Sequence, residues 1–597
     1  ITAMAQSPRF VNLASLGLLG CLSSAAWAQQ SEVLIEADRI AAPGLQADTP
    51  TPGRWWLNRA AHDWKASQGS VLMTGRPAET QGDGGFLKVE PAEQFVPYQV
   101  PQLEMDPQLT GWYRIFLGLY HKAEGSGDRL LARLSREPYP EYLQTPVGAQ
   151  SRIVEVYWKA AELTGQKILL QQVAAPTPHP GFGFVGGVDY IRLVPMSSAE
   201  VAAARRELTL PPRRQRLVAL LDYTTEVFWE GTARTEDDMR AIVYRHQQAG
   251  FGRVYWRCYG TFLDHSSAVP EAAPRWTAAD ERRWSRNQKS QAAWQPYIDL
   301  ARRFDPLRVA VEYGKQHGVE VHAMVRFMNY NREPYSNFWH DNKQFHCLYH
   351  VKADERRSEI LDRPRELFTY PRVLSLAYPE VRTYYVKFFK QIAATGTPGI
   401  LIDLLRWPPI AGYDPIVIEA FQKKYGADMR RRHITRDRLV HEHLSGYLRQ
   451  FLVDVRKEIG NEIQIAIRCD GPDKFAFKGQ QWIEDGLVNA IFNSGSGGSA
   501  PRSSITASLA AAGQRGAVYA VAHANSDVDP RRVSQARKGL LTPASLQALA
   551  GHYSGRGIRG VGIYESSISM RFPEMRRAIR AAGWQYDPDR HVTPQNK

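Results

Sequence analysis

Asp403 closes the apolar run GILID (Gly399 to Asp403), and Arg406 and Trp407 follow it ahead of two prolines. A central strand of a parallel sheet is a short, nearly continuous apolar run, and carboxylates enter such runs at the carboxyl end, where the chain emerges toward a site. A second run, IQIAIRCD, ends in the same way at Asp470. Two carboxyl groups flanking a bond are what glycoside hydrolysis needs, one to protonate the leaving oxygen and one to attack or to activate water. Neighbouring strands lie about 4.8 Å apart, so aspartates ending adjacent strands can reach the roughly 5.5 Å of a retaining pair or splay to the roughly 6.5–9.5 Å of an inverting one. Arg406 and Arg468 would favour ionised Asp403, which makes it the candidate nucleophile or electrostatic stabiliser. Asp470, before the turn GPD, is the candidate proton donor, with Glu565 as the alternative. The competing structural readings are an Asp403–Arg406 ion pair and an ordinary Asp-Gly-Pro turn at Asp470.

The same strand-end filter selects further residues. Asp222 and Tyr223 follow the first apolar segment, Arg257 and Tyr259 the second, and Arg326 and Asn329 the third. Arg406 and Trp407 follow the fourth, Arg468 falls at the end of the fifth, Asn493 ends the sixth and His523 the seventh. These are the candidate substrate-binding groups, although Asp222 also suits a helix cap or turn. Sugar rings need flat apolar faces, for which Trp229, Trp256, Tyr330, Trp339 and above all Trp407 are placed.

Positioning these residues requires strands that alternate with helices. The segments RLVALLDY, RVYWRCYG, VEVHAMVRF, GILIDLL, IQIAIRCDG, NAIFNSG, AVYAVAHA and GVGIYES are separated by helical sequence, as where Val440, Leu444, Tyr447, Leu448, Phe451, Val455 and Ile459 recur at helical spacing. Eight such units predict a (β/α)₈ TIM barrel over 216–597. Before it, residues 29–196 are rich in Gly, Pro and short alternating segments, which predicts an all-β sandwich, and 197–215 form a helix and a Pro/Arg-rich linker. Within the sandwich, ELTGQKILLQQ and GGVDYIRLVP resemble the last strands of jelly-roll carbohydrate-binding domains. Asp189 and Tyr190 are expected to pack inside it, leaving loop aromatics such as Trp55 and Trp56 for a glycan.

The stretch YPEVRTYYVKFFKQIAATGTPGILIDLLRWPP is similar to a segment of the glycosyl-hydrolase-like family 10 group, where an Asn-Pro-Glu-Val-Arg helix leads into a strand ending Asp-Gly-Ile-x-x-Asp-x-x-Arg-Tyr-Pro. The specific motif covers Pro379 to Pro408, with Pro398-Gly399 and Trp407 departing from it. The resemblance implies a barrel that hydrolyses glycosidic bonds in envelope or extracellular polysaccharides.

Bulk properties set the remaining bounds. With 597 residues, 43% hydrophobic and 23% charged, the chain has the composition of a multidomain globular protein. Arg9, the apolar run to Ala26 and the small residues Ala26 and Ala28 read as a signal peptide cleaved after Ala28, with translation starting at Met4. That implies a secreted or periplasmic protein; the alternative is LLGC as a lipoprotein box with Cys21 lipidated and the protein anchored at the envelope. After cleavage only Cys258, Cys347 and Cys469 are left, which excludes a disulfide framework. The net charge of +14 comes from arginines scattered along helices, so no nucleic-acid partner is expected, although an anionic glycan would suit it. His340, His346, Cys347 and His350 lack a compact ligand spacing, and His441 and His443 fall on different sides of a helix, where surface positions are expected. Neither metal nor cofactor is expected. The function expected is an exported glycoside hydrolase; the alternatives are a catalytically inactive glycan-binding protein and a polysaccharide lyase acting through the strand-end arginines.

Overall fold

The computed structural model describes residues 31–40, 46–47, 55–59, 67, 71–74, 101–121, 129–146, 151–172, 186–208, 217–222, 226–227, 233–259, 279, 299–326, 337–350, 367–404, 410–432, 437–469, 478–494, 502–513, 515–523, 541, 544, 546 and 558–585.

The amino-terminal part forms two sheets. A seven-stranded sheet is built around the long antiparallel pair Trp112–Tyr120 and Ile153–Glu162, with Gly187–Pro195 on the other side of Trp112–Tyr120. A four-stranded sheet runs in the order Leu103–Met105, Ile168–Gln172, Arg129–Leu134, Glu141–Gln144. Side chains from both sheets, among them Ile115, Leu117, Ile191, Leu130, Leu143 and Leu170, meet in one apolar cluster. Alternation explains it, because every second residue of each strand turns to that cluster. Trp55 and Trp56 correct one expectation. They lie inside the strand Trp55–Asn58, 1% and 5% exposed, so neither is a loop platform for a glycan.

All eight segments read as barrel strands are strands in the structure. Leu217–Leu221, Arg253–Tyr259, Glu320–Val325, Gly399–Asp403, Gln464–Cys469, Ala490–Asn493, Ala517–His523 and Gly560–Tyr564 close a parallel barrel, the last pairing with the first. Helices pack outside. Helix Glu236–Gln248 starts in a capping box between Thr235 and Asp238, helix Pro306–His317 is capped by Asp305 and ended by the left-handed Gly318, and helix Arg438–Ile459 is capped by Asp437. An antiparallel strand pair, His346–His350 with Leu367–Leu374, stands outside the eight strands.

Inside the barrel the side chains form layers. At the amino-terminal end, Arg253 donates to Glu320 from Nε (2.8 Å) and to Tyr255 Oη (3.3 Å), and Glu320 also pairs with His322 Nε2 at 3.1 Å. Burial lowers the His322 pKa to about 4, so the ring is neutral and donates to Glu320. A Cβ at position 399 would collide with the His322 imidazole, which accounts for Gly399 opening the fourth strand. Above this floor Val218, Leu220, Tyr255, Met324, Leu401, Phe492, Tyr519 and Val521 make the apolar middle. The third layer is charged.

Among the described residues no helix is long and apolar enough to cross a membrane. Cys258, Cys347 and Cys469 are all buried thiols.

Candidate active site at the barrel mouth

The carboxyl ends of the strands carry a connected set of charged hydrogen bonds. Inward-facing positions continue the alternation of the layer below, which brings Asp222, Arg257, Arg326, Asp403, Arg468 and Tyr564 to one level. Arg257 donates to Asp222 Oδ1 at 2.7 Å, and Arg326 donates to Asp222 Oδ2 at 2.9 Å. Arg326 also donates through Nε to Asp403 Oδ2 at 2.6 Å, and Arg468 reaches the same oxygen at 3.1 Å. Arg468 continues to Ser494 Oγ at 3.0 Å. From across the barrel, Tyr564 Oη accepts from Arg326 at 2.5 Å, and its ring lies 4.0 Å from the Arg468 guanidinium carbon. Six strands contribute to one contiguous network, and Ser494 sits just beyond the sixth.

Burial makes these contacts strong. The Asp403 side chain is 1% exposed, with Arg468 and Arg326 at 0% and 3%. Burial works against the charge on Arg326, but Tyr564, Asp403 and Asp222 outweigh it and hold its pKa well above the ordinary value. The Tyr564 phenol is pushed up by burial, with Asp222 and Glu565 adding to that and the two arginines pulling back. Tyr564 is therefore neutral. Asp403 receives two guanidinium donors in a site of low dielectric, an arrangement that favours the carboxylate form.

Glu565 stands immediately after this ring in a strained backbone. Its φ of 54° and ψ of 45° put a non-glycine residue in the left-handed region, between the last barrel strand and the short helix Ser566–Ser569. Such conformations cost on the order of 1–3 kcal/mol and persist where the surroundings impose them. The turn is anchored from behind: Ser566 Oγ donates to His246 Nε2 at 2.9 Å, and His246 Nδ1 donates to the Ile242 carbonyl at 2.7 Å. Burial lowers the His246 pKa to about 4, which fixes the neutral ring this chain of bonds requires.

Several expected site residues fall elsewhere. Asn493 faces away from the barrel interior, since Ala490 and Phe492 are the inward residues of its strand; its amide donates to Ser508 Oγ at 2.7 Å on an outer helix. Asn493 is thus part of the wall. Ser494, one residue on, takes the inward position. Trp256 is buried in the outer core and offers no face to a sugar, and Trp339 stacks one face on His346 with centroids 4.1 Å apart. His443, expected at the surface, is half-buried among Phe421, Tyr425 and Tyr447. Arg257, Arg326 and Arg468 are turned onto Asp222 and Asp403. Tyr223, Asn329, Arg406, Trp407 and Asp470, with Trp229 and Tyr330, lie outside the described residues, and of Tyr259 and His523 only the backbone is described. Tyr564 and Ser494 were missed. Alternation from Gly560 and Gly562 would have pointed Tyr564 inward. Among the described residues no three His, Cys, Asp or Glu side chains gather to hold a metal ion.

A closed barrel of eight parallel strands with outer helices and a polar ring at the carboxyl ends is a TIM-type barrel. No protein-family model matches the chain, and no curated protein does. Solved structures similar to it include the GH20 exo-β-N-acetylglucosaminidase of Vibrio harveyi (12% identity, 67% of this chain and 56% of that one, TM-score 0.37). A β-N-acetylhexosaminidase of Bacteroides fragilis (10% identity, 67% and 68%, TM-score 0.39) and an α-galactosidase of Thermus thermophilus (11% identity, 87% and 93%, TM-score 0.33) are also similar. The match takes in little more than half of the Vibrio enzyme.

Proposed function

We propose that the chain is an exported glycoside hydrolase that cleaves an extracellular or envelope polysaccharide at the barrel mouth. The observation that carries this reading is the Asp403 carboxylate, held by Arg326 at 2.6 Å and Arg468 at 3.1 Å at the carboxyl end of the fourth strand. A carboxylate kept ionised there can attack the anomeric carbon or stabilise the positive charge that develops on the sugar. Glu565, exposed to a greater degree and set out from the last strand by its left-handed turn, is the proton donor; Asp470 is the other carboxyl that could take that role. Glu565 would protonate the glycosidic oxygen as the bond to the anomeric carbon breaks. Asp222 shares Arg326 with Asp403 and thereby fixes that guanidinium in place. The two amino-terminal sheets are read as a jelly-roll-like sandwich of carbohydrate-binding type, and the chain as belonging with the glycosyl-hydrolase-like family 10 group.

A second reading has its own support. A carboxylate 1% exposed and doubly paired is also what a purely structural ion network contains, and a glycan-binding protein on an inactive barrel would show it. The lyase reading loses ground, since the described strand-end arginines are engaged with aspartates. Incubating the mature protein with neutral and acidic polysaccharides and measuring new reducing ends decides between hydrolase and binder. Glycan binding with no new ends would reject the hydrolase.

A further inference from the structure

The last barrel turn is tied to the amino-terminal sheets. Strand Glu141–Gln144 is an edge of the four-stranded sheet, paired only on its Arg129–Leu134 side among the described strands. An edge strand leaves alternate backbone groups without a ladder partner, and they must be satisfied elsewhere. Here the barrel satisfies them. Gln144 N–H donates to the Arg571 carbonyl at 3.1 Å, and the Tyr142 carbonyl accepts from Arg576 at 2.8 Å.

Arg576 reaches both sides of this junction. The nitrogen that donates to Tyr142 also donates to the Met570 carbonyl at 2.5 Å, and its other terminal nitrogen reaches Glu141 Oε2 at 3.1 Å. Glu141 is itself fixed by Trp158 Nε1 at 2.8 Å and Lys159 at 3.2 Å. Met570 and Arg571 belong to the turn that begins at Glu565: Ile568 N–H donates to the Glu565 carbonyl (3.0 Å), Met570 to Ser566 (3.2 Å) and Arg571 to Ile568 (3.1 Å). A second path runs through helix Glu236–Gln248, where Arg245 donates to the Pro140 carbonyl at 3.3 Å and the next residue, His246, holds Ser566.

We infer that Arg576 is a positioning residue: together with the edge strand Glu141–Gln144 it holds the left-handed turn that presents Glu565, so that the amino-terminal sheets are a structural part of the barrel's mouth. The kinetic consequence rests on the reading of Glu565 as the acid, but the clamp itself does not. Amide hydrogen exchange of the full chain tests the clamp without any substrate. In Glu141→Gln and Arg576→Lys, the amides of Ile568, Met570 and Arg571 should exchange at least about tenfold faster, while Val561–Tyr564 in the strand keep their protection, because local openings report local contacts. Unchanged exchange in the turn in both variants, or equal loosening of turn and strand, would overturn the inference. On a hydrolysed substrate the same variants should lower kcat about tenfold with KM unchanged, as expected when a group acting in the transition state is misplaced. A faster-exchanging turn with full kcat would show a clamp that positions nothing, and would overturn the positioning role alone.

Discussion

Asp222 and Asp403 are held by one guanidinium: Arg326 donates to Asp222 Oδ2 at 2.9 Å and to Asp403 Oδ2 at 2.6 Å. The pair comes from the first and fourth strands, and Arg326 from the third lies between them. Arg257 and Arg468 extend the network on either side. Each charge in it is countered by a neighbour, so removing one leaves another buried without its full complement.

Asp403→Asn should therefore affect stability as well as activity. Losing one partner of a buried ion network costs on the order of 3 kcal/mol. The expected outcome is a lower denaturant midpoint with an unchanged slope, measured alongside hydrolysis. A variant as stable as the wild type would show that Asp403 is not the charge on which Arg326 and Arg468 depend.

Glu565→Gly separates strain from chemistry. Glycine adopts a positive φ without a Cβ penalty, so the folded state gains about 1 kcal/mol, partly offset by the looser unfolded chain. Thermal stability should hold or rise while hydrolysis falls by about 10²–10⁴, the span a general acid supplies. A destabilised Gly variant would mean that the Glu565 side chain supports the turn.

Tyr564→Phe keeps the ring beneath Arg468 and removes the hydroxyl that accepts from Arg326. A cost of about 1–3 kcal/mol is expected for leaving a buried guanidinium nitrogen short of an acceptor. Chemical denaturation of the variant measures it. No loss of stability would mean that water or a neighbour takes over the bond.

The pH dependence of stability has two windows. His246 and His322 have folded-state pKa values of about 4, below the unfolded value, so the unfolded chain binds protons first and stability falls as pH drops from about 6.5 toward 4. Burial raises the pKa of Glu141 and Glu320, but Lys159 and Arg576 on the first, and His322 and Arg253 on the second, bring both down to about 2. Their contribution is present above the unfolded carboxyl value and is lost as pH falls from about 4.5 toward 2. Denaturation curves from pH 7 to pH 3 should show both losses, and Glu141→Gln should flatten the lower window. A midpoint flat between pH 7 and pH 4 would contradict the buried neutral histidines.

Much of the barrel was legible because its strands are short apolar runs ended by polar residues, and each of the eight occurs where the pattern put it. Asp403, Arg326, Arg468, Arg257 and Asp222 were legible as strand-end residues, and Arg468 as a neighbour of Asp403, but the bonds that Arg326 and Arg257 make were not. Arg326 comes from 77 positions away and meets Asp403 because the third and fourth strands pair side by side, which residue spacing alone does not show. Asn493 was misread for lack of parity: a residue that ends a strand faces in or out according to its phase, and Phe492 already held the inward place. Trp55 and Trp56 misled because Gly and Pro nearby suggested a loop, while burial of both faces of that strand hides the alternation. The left-handed Glu565 has no signature in residue type, because glycine or asparagine would be the ordinary choice there.

The most direct test of the central claim is the rate at which new reducing ends appear when a polysaccharide is given to the wild type, to Asp403→Asn and to Glu565→Gln, each first shown to be folded. Cleavage by the wild type, and losses of about 10²-fold or more in both variants, is the result predicted for paired carboxyl groups at the barrel mouth. Cleavage that survives in folded Asp403→Asn would contradict it.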